Sequence, residues 1–313
     1  MPGVSVIIPA YNYGRFLSDA IDSALAQTYS NFEVIVINDG STDNTPDVAA
    51  RYGSKIRYLR QDNAGLPAAR NSGIKAARHP FVAFLDADDV WEPEMLASAM
   101  RCFSELDESV GLIACASVRT DAEGRVIASK RFASFDNCEI KARDLLLKNR
   151  FMPSAVVAKR AAFHTCGLFD TSLRSSEDRD MWIRIATKYR VNFHGKTLVR
   201  IRKHGSNMSR HADRMKRNMR RVICKAFHSR VVPRANVFFW LRVLAFNFFE
   251  VGWMHYDEGA HGKAVFDMLR SMLLWPMFLN PTQRLNEPRF FRARALIRFL
   301  LKASTAGWNS ARE

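Results

Sequence analysis

Three carboxylates stand within four residues in Asp86-Ala87-Asp88-Asp89, directly after the apolar run Phe81-Val82-Ala83-Phe84-Leu85. A short Val/Phe/Leu run bounded by turn residues reads as a buried strand. Acids crowded at its end repel one another, and a divalent cation relieves that repulsion. Hard oxygen ligands suit Mg²⁺ or Mn²⁺, which typically also hold phosphate oxygens. The pattern suggests metal-assisted chemistry on a phosphorylated substrate. The competing reading is an acidic loop that caps the next helix, expected to start at Trp91-Glu92-Pro93.

Other chemistry-bearing residues recur after apolar runs. Asp39 follows Val34-Ile35-Val36-Ile37, where a carboxylate can accept the imide N–H of a uracil or thymine ring, or brace a turn. Behind it, Gly40 permits a tight turn, and Asp43 or Thr45 can cap the next helix. In Asp62-Asn63-Ala64-Gly65-Leu66-Pro67-Ala68-Ala69-Arg70, Gly65 lets backbone approach a ligand and Pro67 opens a helix. Arg70, near the positive end of that helix, either contacts a nucleotide or is solvated. Ser176-Glu177-Asp178-Arg179-Asp180 opens another helix. Acids favour helix N-termini, but three in four positions exceed a cap's needs, so one of them could be a general base. His204, in Arg202-Lys203-His204-Gly205-Ser206-Asn207, could complete a metal's coordination or lie exposed in a basic loop.

The elements that must position these residues alternate. Strands are expected at 4–8, 34–37, 56–59 and 81–85, with helices at 46–52 and 67–77 and a stripe of Phe16, Leu17, Ala20, Ile21, Ala24 and Leu25. Strands apolar on both faces, separated by amphipathic helices, indicate a parallel sheet covered on both sides. Ligands sit at the carboxyl ends of such strands, where Pro9-Ala10-Tyr11-Asn12, Asp39, Asp62-Asn63 and Asp86–Asp89 all fall. Further strands are read at 110–118, 125–131, 155–158 and 197–201, with a helix at 176–189. From Ala212 the pattern is helical, with breaks at Pro233, Pro276, Pro281 and Pro288. Ala245, Gly252, Tyr256, Gly259, Ala264 and Pro276 approach the spacing of one tetratricopeptide pair; a solenoid needs at least three, so an ordinary helical hairpin is expected.

The net charge is +16 over 313 residues. Residues 1–199 hold 25 Lys/Arg against 24 Asp/Glu, whereas residues 200–313 hold 22 against 7. The near-neutral first part argues against nucleic-acid binding there; the basic tail leaves nucleic acid or an anionic membrane surface open. Five scattered cysteines without CxxC spacing read as reduced thiols in a cytoplasmic protein, with no zinc site. With a strand read at the start of the sequence, no signal peptide is expected. The apolar stretch 237–254 contains Arg242, Asn247 and Glu250 and is not read as transmembrane.

Taken in order, these stretches resemble glycosyltransferase family 2 with the GT-A fold. They are Val4–Asn12, Ser23–Thr28, Asn38–Thr45, Asn63–Gly73, Phe84–Asp89, the Glu177-Asp178 pair and His204-Gly205. The resemblance covers about residues 3–210. It implies an α/β, Rossmann-like, mostly parallel sheet with helices on both faces (1–210), followed by a basic helical region (211–313). It also implies a non-processive bacterial enzyme, since no Gln-x-x-Arg-Trp motif precedes Trp182. Transfer of hexose with inversion is implied, from a nucleotide-diphosphate sugar, expected to be UDP-linked, to a saccharide or lipid-linked acceptor in cell-surface polysaccharide synthesis. By the same resemblance Asp39 reads the base, Asp86 holds the ribose, and Asp88 ligates Mn²⁺ or Mg²⁺. Asp178 is the catalytic base with Glu177 beside it, and His204 is a late ligand to metal or diphosphate. Pro9, Ala10, Tyr11, Asn63, Gly65, Arg70 and Ala87 line the donor site.

The tail mixes Arg/Lys with Phe, Trp, Leu and Met, as helices in a membrane interface do, so peripheral attachment at the inner face of the cell membrane is one expectation. Packing onto the protein itself is the other. Two further functions compete with this reading: nucleic-acid binding through the basic region, and nucleotidyl transfer. The latter needs a Gly-rich, basic triphosphate loop where Ala10-Tyr11-Asn12-Tyr13 stands.

Overall fold

Val4–Ala10 is buried along its whole length and forms β1. After it come α1 (Gly14–Leu25), β2 (Phe32–Asp39), α2 (Thr45–Ala50), β3 (Arg57–Gln61), α3 (Leu66–Ala76) and β4 (Phe81–Phe84). Then follow β5 (Val90–Trp91), α4 (Met95–Glu105), β6 (Val110–Thr120), β7 (Val126–Ala128), β8 (Cys138–Glu139) and α5 (Ala142–Leu147). The series ends with β9 (Val156–Lys159), α6 (Arg160–Cys166), α7 (Glu177–Ala186), β10 (Arg190–Arg202), α8 (Ala212–His228), α9 (Val237–Asp257), α10 (His261–Leu274) and α11 (Phe291–Ser310). This computed structural model describes residues 1–128, 138–205, 211–276 and 291–310. The expected strand at 125–131 is described only to Ala128, and Ser206, Asn207, Pro281 and Pro288 lie outside the described residues. The chain divides into two compact units, Met1–Leu145 with Asn149–Gly205, and Leu146–Lys148 with Ser206–Glu313.

The first unit is an α/β fold around one sheet ordered β3-β2-β1-β4-β9-β6-β10-β5. Strands β3, β2, β1 and β4 run parallel. Antiparallel β9 then separates them from the parallel pair β6 and β10. Two antiparallel steps restore the direction, so β10 ends at the same edge as β1, β2 and β4. That edge collects the carboxyl ends which carry Ala10, Asp39, Asp86 and, two residues beyond β10, His204.

Several local expectations change. β3 is not apolar on both faces: it is the outer strand, and Tyr58 and Leu59 are exposed. The last strand begins at Arg190 rather than Thr197, because it pairs along β6 with irregular register between His194 and Thr197. Trp91 is in a strand, not at a helix start. Its indole donates to Ser154 O (2.6 Å) and Glu92 N to Leu198 O (2.9 Å), so α4 waits until Met95. The acidic tetrad therefore does not cap that helix.

The second unit is helical. Phe246, Phe249, Ala264, Met268, Ala295 and Phe299 form its core, drawn from α9, α10 and α11. Gly252 of α9 lies under α10, where an added Cβ would meet Ala264 O at 3.4 Å, and the two helices make the expected hairpin. An 18-residue stretch of α9 has a mean hydropathy of 1.3, and the helix is long and apolar enough to cross a membrane by composition. Half of that stretch is buried inside the protein, as in a core helix. Charge is buried here too: Asp267 accepts Lys216 Nζ (2.5 Å) and pairs with His255 Nδ1 (2.9 Å), joining α8, α9 and α10.

Candidate active site

Two loops meet at the ends of β1 and β2. Asp43 accepts Gly14 N through Oδ2 (2.9 Å) and Thr45 N through Oδ1 (3.0 Å), so one carboxylate caps both α1 and α2. Asn12, at φ +57°, accepts Thr42 N (2.8 Å) and fixes the turn that follows Tyr11. Pro9 and Ala10 are buried within β1, whereas Tyr11 is exposed at the rim. Gly40 has φ +76°, and an added Cβ would stand 2.8 Å from Asn63 N, so glycine alone lets the two loops touch.

Asp39 lies where expected but is only 3% exposed. Its Oδ1 accepts Gln61 Nε2 (2.7 Å) and Ala64 N (2.9 Å), and Oδ2 accepts Gly65 N (2.8 Å). Three of a carboxylate's roughly four acceptor positions are thus taken by protein. The bracing leaves Asn63 on the exposed rim and holds Gly65 at φ +90°, ahead of α3.

Arg70 is not solvated: it is buried, with 1% exposure. Its Nη2 binds Asp86 Oδ1 and its Nη1 binds Glu177 Oε1, both at 2.7 Å. The guanidinium lies 5.6 Å from the Phe169 ring centroid. The physical reason is its place on α3, between the end of β4 and the start of α7. One fork-shaped cation there satisfies two acids at once.

The three acids of α7 consequently part ways. Glu177 is buried against Arg70, while Asp180 is buried and paired with Arg184 Nε at 2.9 Å. Asp178 stays partly exposed, with Oδ2 accepting Asn149 Nδ2 (3.0 Å). Ser176 before them is buried at φ +60°, a left-handed conformation unusual for serine. Trp182, one turn on, anchors the helix among Phe84, Phe151 and Phe169.

Burial pushes the Glu177 carboxyl up to about 7; Arg70 pulls the other way and Asp178 adds to the rise. A raised value in the folded state means that Glu177 contributes most to stability below its ordinary 4.5, and that this contribution fades as pH rises through about 7. Glu177→Gln keeps an acceptor for Arg70 and removes the titration. Between about pH 4 and pH 8, wild type is expected to lose about 3 kcal/mol more than the variant. Urea unfolding at the two pH values tests this, and parallel losses would remove the assignment.

The tetrad divides its labour in the same way. Asp86 keeps one oxygen on Arg70 and is 25% exposed, while burial raises its carboxyl despite Arg70, with Asp88 adding to the rise. Asp89 is buried, accepting Ser154 Oγ and Arg202 N, and burial together with Asp88 and Asp86 pushes it well up. Asp89 therefore ties the end of β10 to the tetrad, and Ala87 is buried between. Asp88 Oδ2 then meets His204 Nε2 at 2.9 Å across 116 residues of chain. The imidazole is flanked by the rings of Phe16 (4.8 Å) and Tyr13 (5.8 Å). Burial and the charges of Asp88 and Asp86 push the Tyr13 phenol up, so it stays neutral.

Asp88 and His204 offer one oxygen and one nitrogen donor, a set that suits Mn²⁺ more than Mg²⁺. Among the described residues no group of three or more His, Cys, Asp or Glu is arranged to hold a metal ion. A two-ligand site fits a cation that completes its shell with diphosphate oxygens and water. Sequence reading missed Ser154, Asn149 and Tyr13. Ser154 and Asn149 carry no pattern of their own, whereas an aromatic two residues after Tyr11 was a signal available at the strand end.

An acid-rimmed strand edge beside a partly open carboxylate suits cation-assisted group transfer. The comparisons agree with the class. Residues 5–165 match the model of glycosyl transferase family 2, and the chain belongs to that family. It is 34% identical over 209 residues to an uncharacterized glycosyltransferase of Rickettsia prowazekii, covering 66% of this chain and 65% of that one. The matched part spans between about a third and two thirds of the length of the first such relatives. S. aureus TarS 1–349 superposes with a TM-score of 0.66 at 17% identity, covering 98% and 92% of the two chains. The mannosyltransferase PcManGT of Pyrobaculum calidifontis, in complex with GDP-Man and Mn²⁺, gives 0.60 at 18% identity, covering 97% and 86%. These structures share the GT-A fold. The matches support neither nucleotidyl transfer nor nucleic-acid binding.

Proposed function

We propose that the protein transfers one sugar, with inversion, from a UDP-linked donor to a hydroxyl of a saccharide or of a lipid-linked saccharide at an anionic membrane surface. The role is in cell-surface polysaccharide synthesis. The observation that carries this reading is the sorting of acids at α7: Glu177 and Asp180 are tied to arginines, and Asp178 stays partly open beside Asp86 and Arg70. A sugar hydroxyl has a pKa far above neutrality, so a positioned carboxylate must take its proton as the new bond forms. Asn149 orients Asp178 for that role. The Arg70 bridge holds Asp86, whose second oxygen is left for the ribose, at a set position relative to α7. Asp39 orders the Ala64-Gly65 rim for the base and keeps one acceptor position for its N–H. Asp88 and His204 would hold Mn²⁺ or Mg²⁺, which when bound neutralises the charge growing on the leaving diphosphate.

TarS 1–349 is known in complex with UDP-GlcNAc and PcManGT with GDP-Man, which supports a nucleotide-sugar donor for this chain. Thermal-shift titration with UDP-, GDP- and dTDP-sugars, with and without Mn²⁺, tests the reading. A UDP-sugar at 100 times its Kd should add about 2.7 kcal/mol of stability, and only when Mn²⁺ is present. A shift with GDP-sugars alone would reject the base assignment, and no shift with any donor would reject the function.

A further inference from the structure

A helix packed on a globular core normally turns a polar face outward, and α10 does not. Ala264, Asp267, Met268 and Ser271 face the core. Phe266, Leu269 and Leu273, at helical spacing on the opposite side, are all exposed, Leu273 by 83%. The neighbouring α11, which donates from Arg292 Nη1 to Ser271 O (3.1 Å), repeats the pattern with exposed Ile297, Leu300 and Leu301. At the far end of α10, the Trp275 ring lies 6.5 Å from that of Phe238, itself 73% exposed. Single exposed apolar residues are ordinary; two parallel stripes joined to an exposed aromatic mark an interaction surface.

Charge says what covers it. In residues 259–276 and 291–303 the one acid is Asp267, which is fully buried. The cations Arg270, Arg294, Arg298 and Lys302 border the apolar stripes, whereas Lys263 is paired with Asp213 of α8 at 2.7 Å. The Arg270 guanidinium lies 4.0 Å over the Phe266 ring, its stem along the apolar surface and its charge at the edge. Apolar stripes edged by cations and free of outward acids complement the headgroup boundary of an anionic bilayer. α8, by contrast, exposes Arg217, Arg220 and Arg221 without large apolar neighbours, so it supplies charge only.

We propose that the outward faces of α10 and α11, with Phe238, form the surface by which this protein lies on an anionic lipid bilayer. This deepens the acceptor part of the proposed function, and its readout is binding, separate from transfer. The full chain is sedimented with vesicles of phosphatidylcholine alone or with phosphatidylglycerol added, at low and high salt. Wild type is expected to pellet with the anionic vesicles at low salt and to stay in solution with the neutral ones. A Phe266→Asp/Leu273→Asp variant, whose changes lie on exposed positions, should pellet at least about tenfold less while melting and binding UDP-sugar as wild type does. Wild type remaining in the supernatant, or the variant pelleting equally, overturns the proposal. So does sedimentation velocity showing a wild-type dimer that the variant abolishes without any lipid effect, since the face then serves a second copy of the chain.

Discussion

Asp178→Asn is expected to lower kcat for sugar transfer by about 10³-fold while the affinity for donor stays within a few-fold. The amide keeps the size of the side chain and a polar contact for Asn149, so the loss is of proton acceptance and not of shape. Folding should be nearly unchanged, because Asp178 carries neither of the arginine bridges at the start of α7. Asp180→Asn is the matched control: it removes a charge from the same helix but one already paired with Arg184, and it should keep transfer within about tenfold. Steady-state kinetics on both variants decide the matter. Transfer by Asp178→Asn at the parent rate would show that another group takes the proton.

The second large effect concerns the cation. Asp88→Ala should lose at least about 10³-fold in transfer, and chelation with EDTA should do the same to wild type, with activity restored by added Mn²⁺. Because the proposed site, Asp88 with His204, offers two ligands only, Mn²⁺ alone should bind weakly and bind far more tightly once UDP is present. Calorimetric titration of Mn²⁺ with and without UDP separates these cases. His204→Ala should show a smaller loss than Asp88→Ala, since water can replace a neutral ligand more readily than a charged one. Tight Mn²⁺ binding without nucleotide, or chelator-resistant transfer, would refute the metal assignment.

Arg70 shows the difference between a residue's position in the chain and its surroundings in the fold. Its place one turn into a helix at the strand edge was legible, but its burial was not, because burial depends on which elements close over that edge. Glu177 adjoins Asp178 in the sequence, but one oxygen of its buried carboxylate is bridged to Arg70. Asp89, next in sequence to Asp88, is the tie between Ser154 and the end of β10. Neighbours in sequence point to different sides once the backbone turns, as it does where Asp89 N bonds Asp86 O at 3.0 Å.

What the amino-acid order determined by itself was local: the alternation of strands and helices, the glycines at Gly40 and Gly65, and the acids massed where strands end. Those features follow from side-chain periodicity, backbone freedom and capping, which act over a few residues. Tertiary structure alone decided the partners: Arg70 with Glu177 across 107 residues, Asp88 with His204 across 116, Asn149 with Asp178. It also placed β9 antiparallel between the two parallel groups, and so brought the end of β10 to the acidic edge. Pairings of this kind are chosen by packing over the whole sheet, where desolvation makes one arrangement of buried charges tolerable and its alternatives costly.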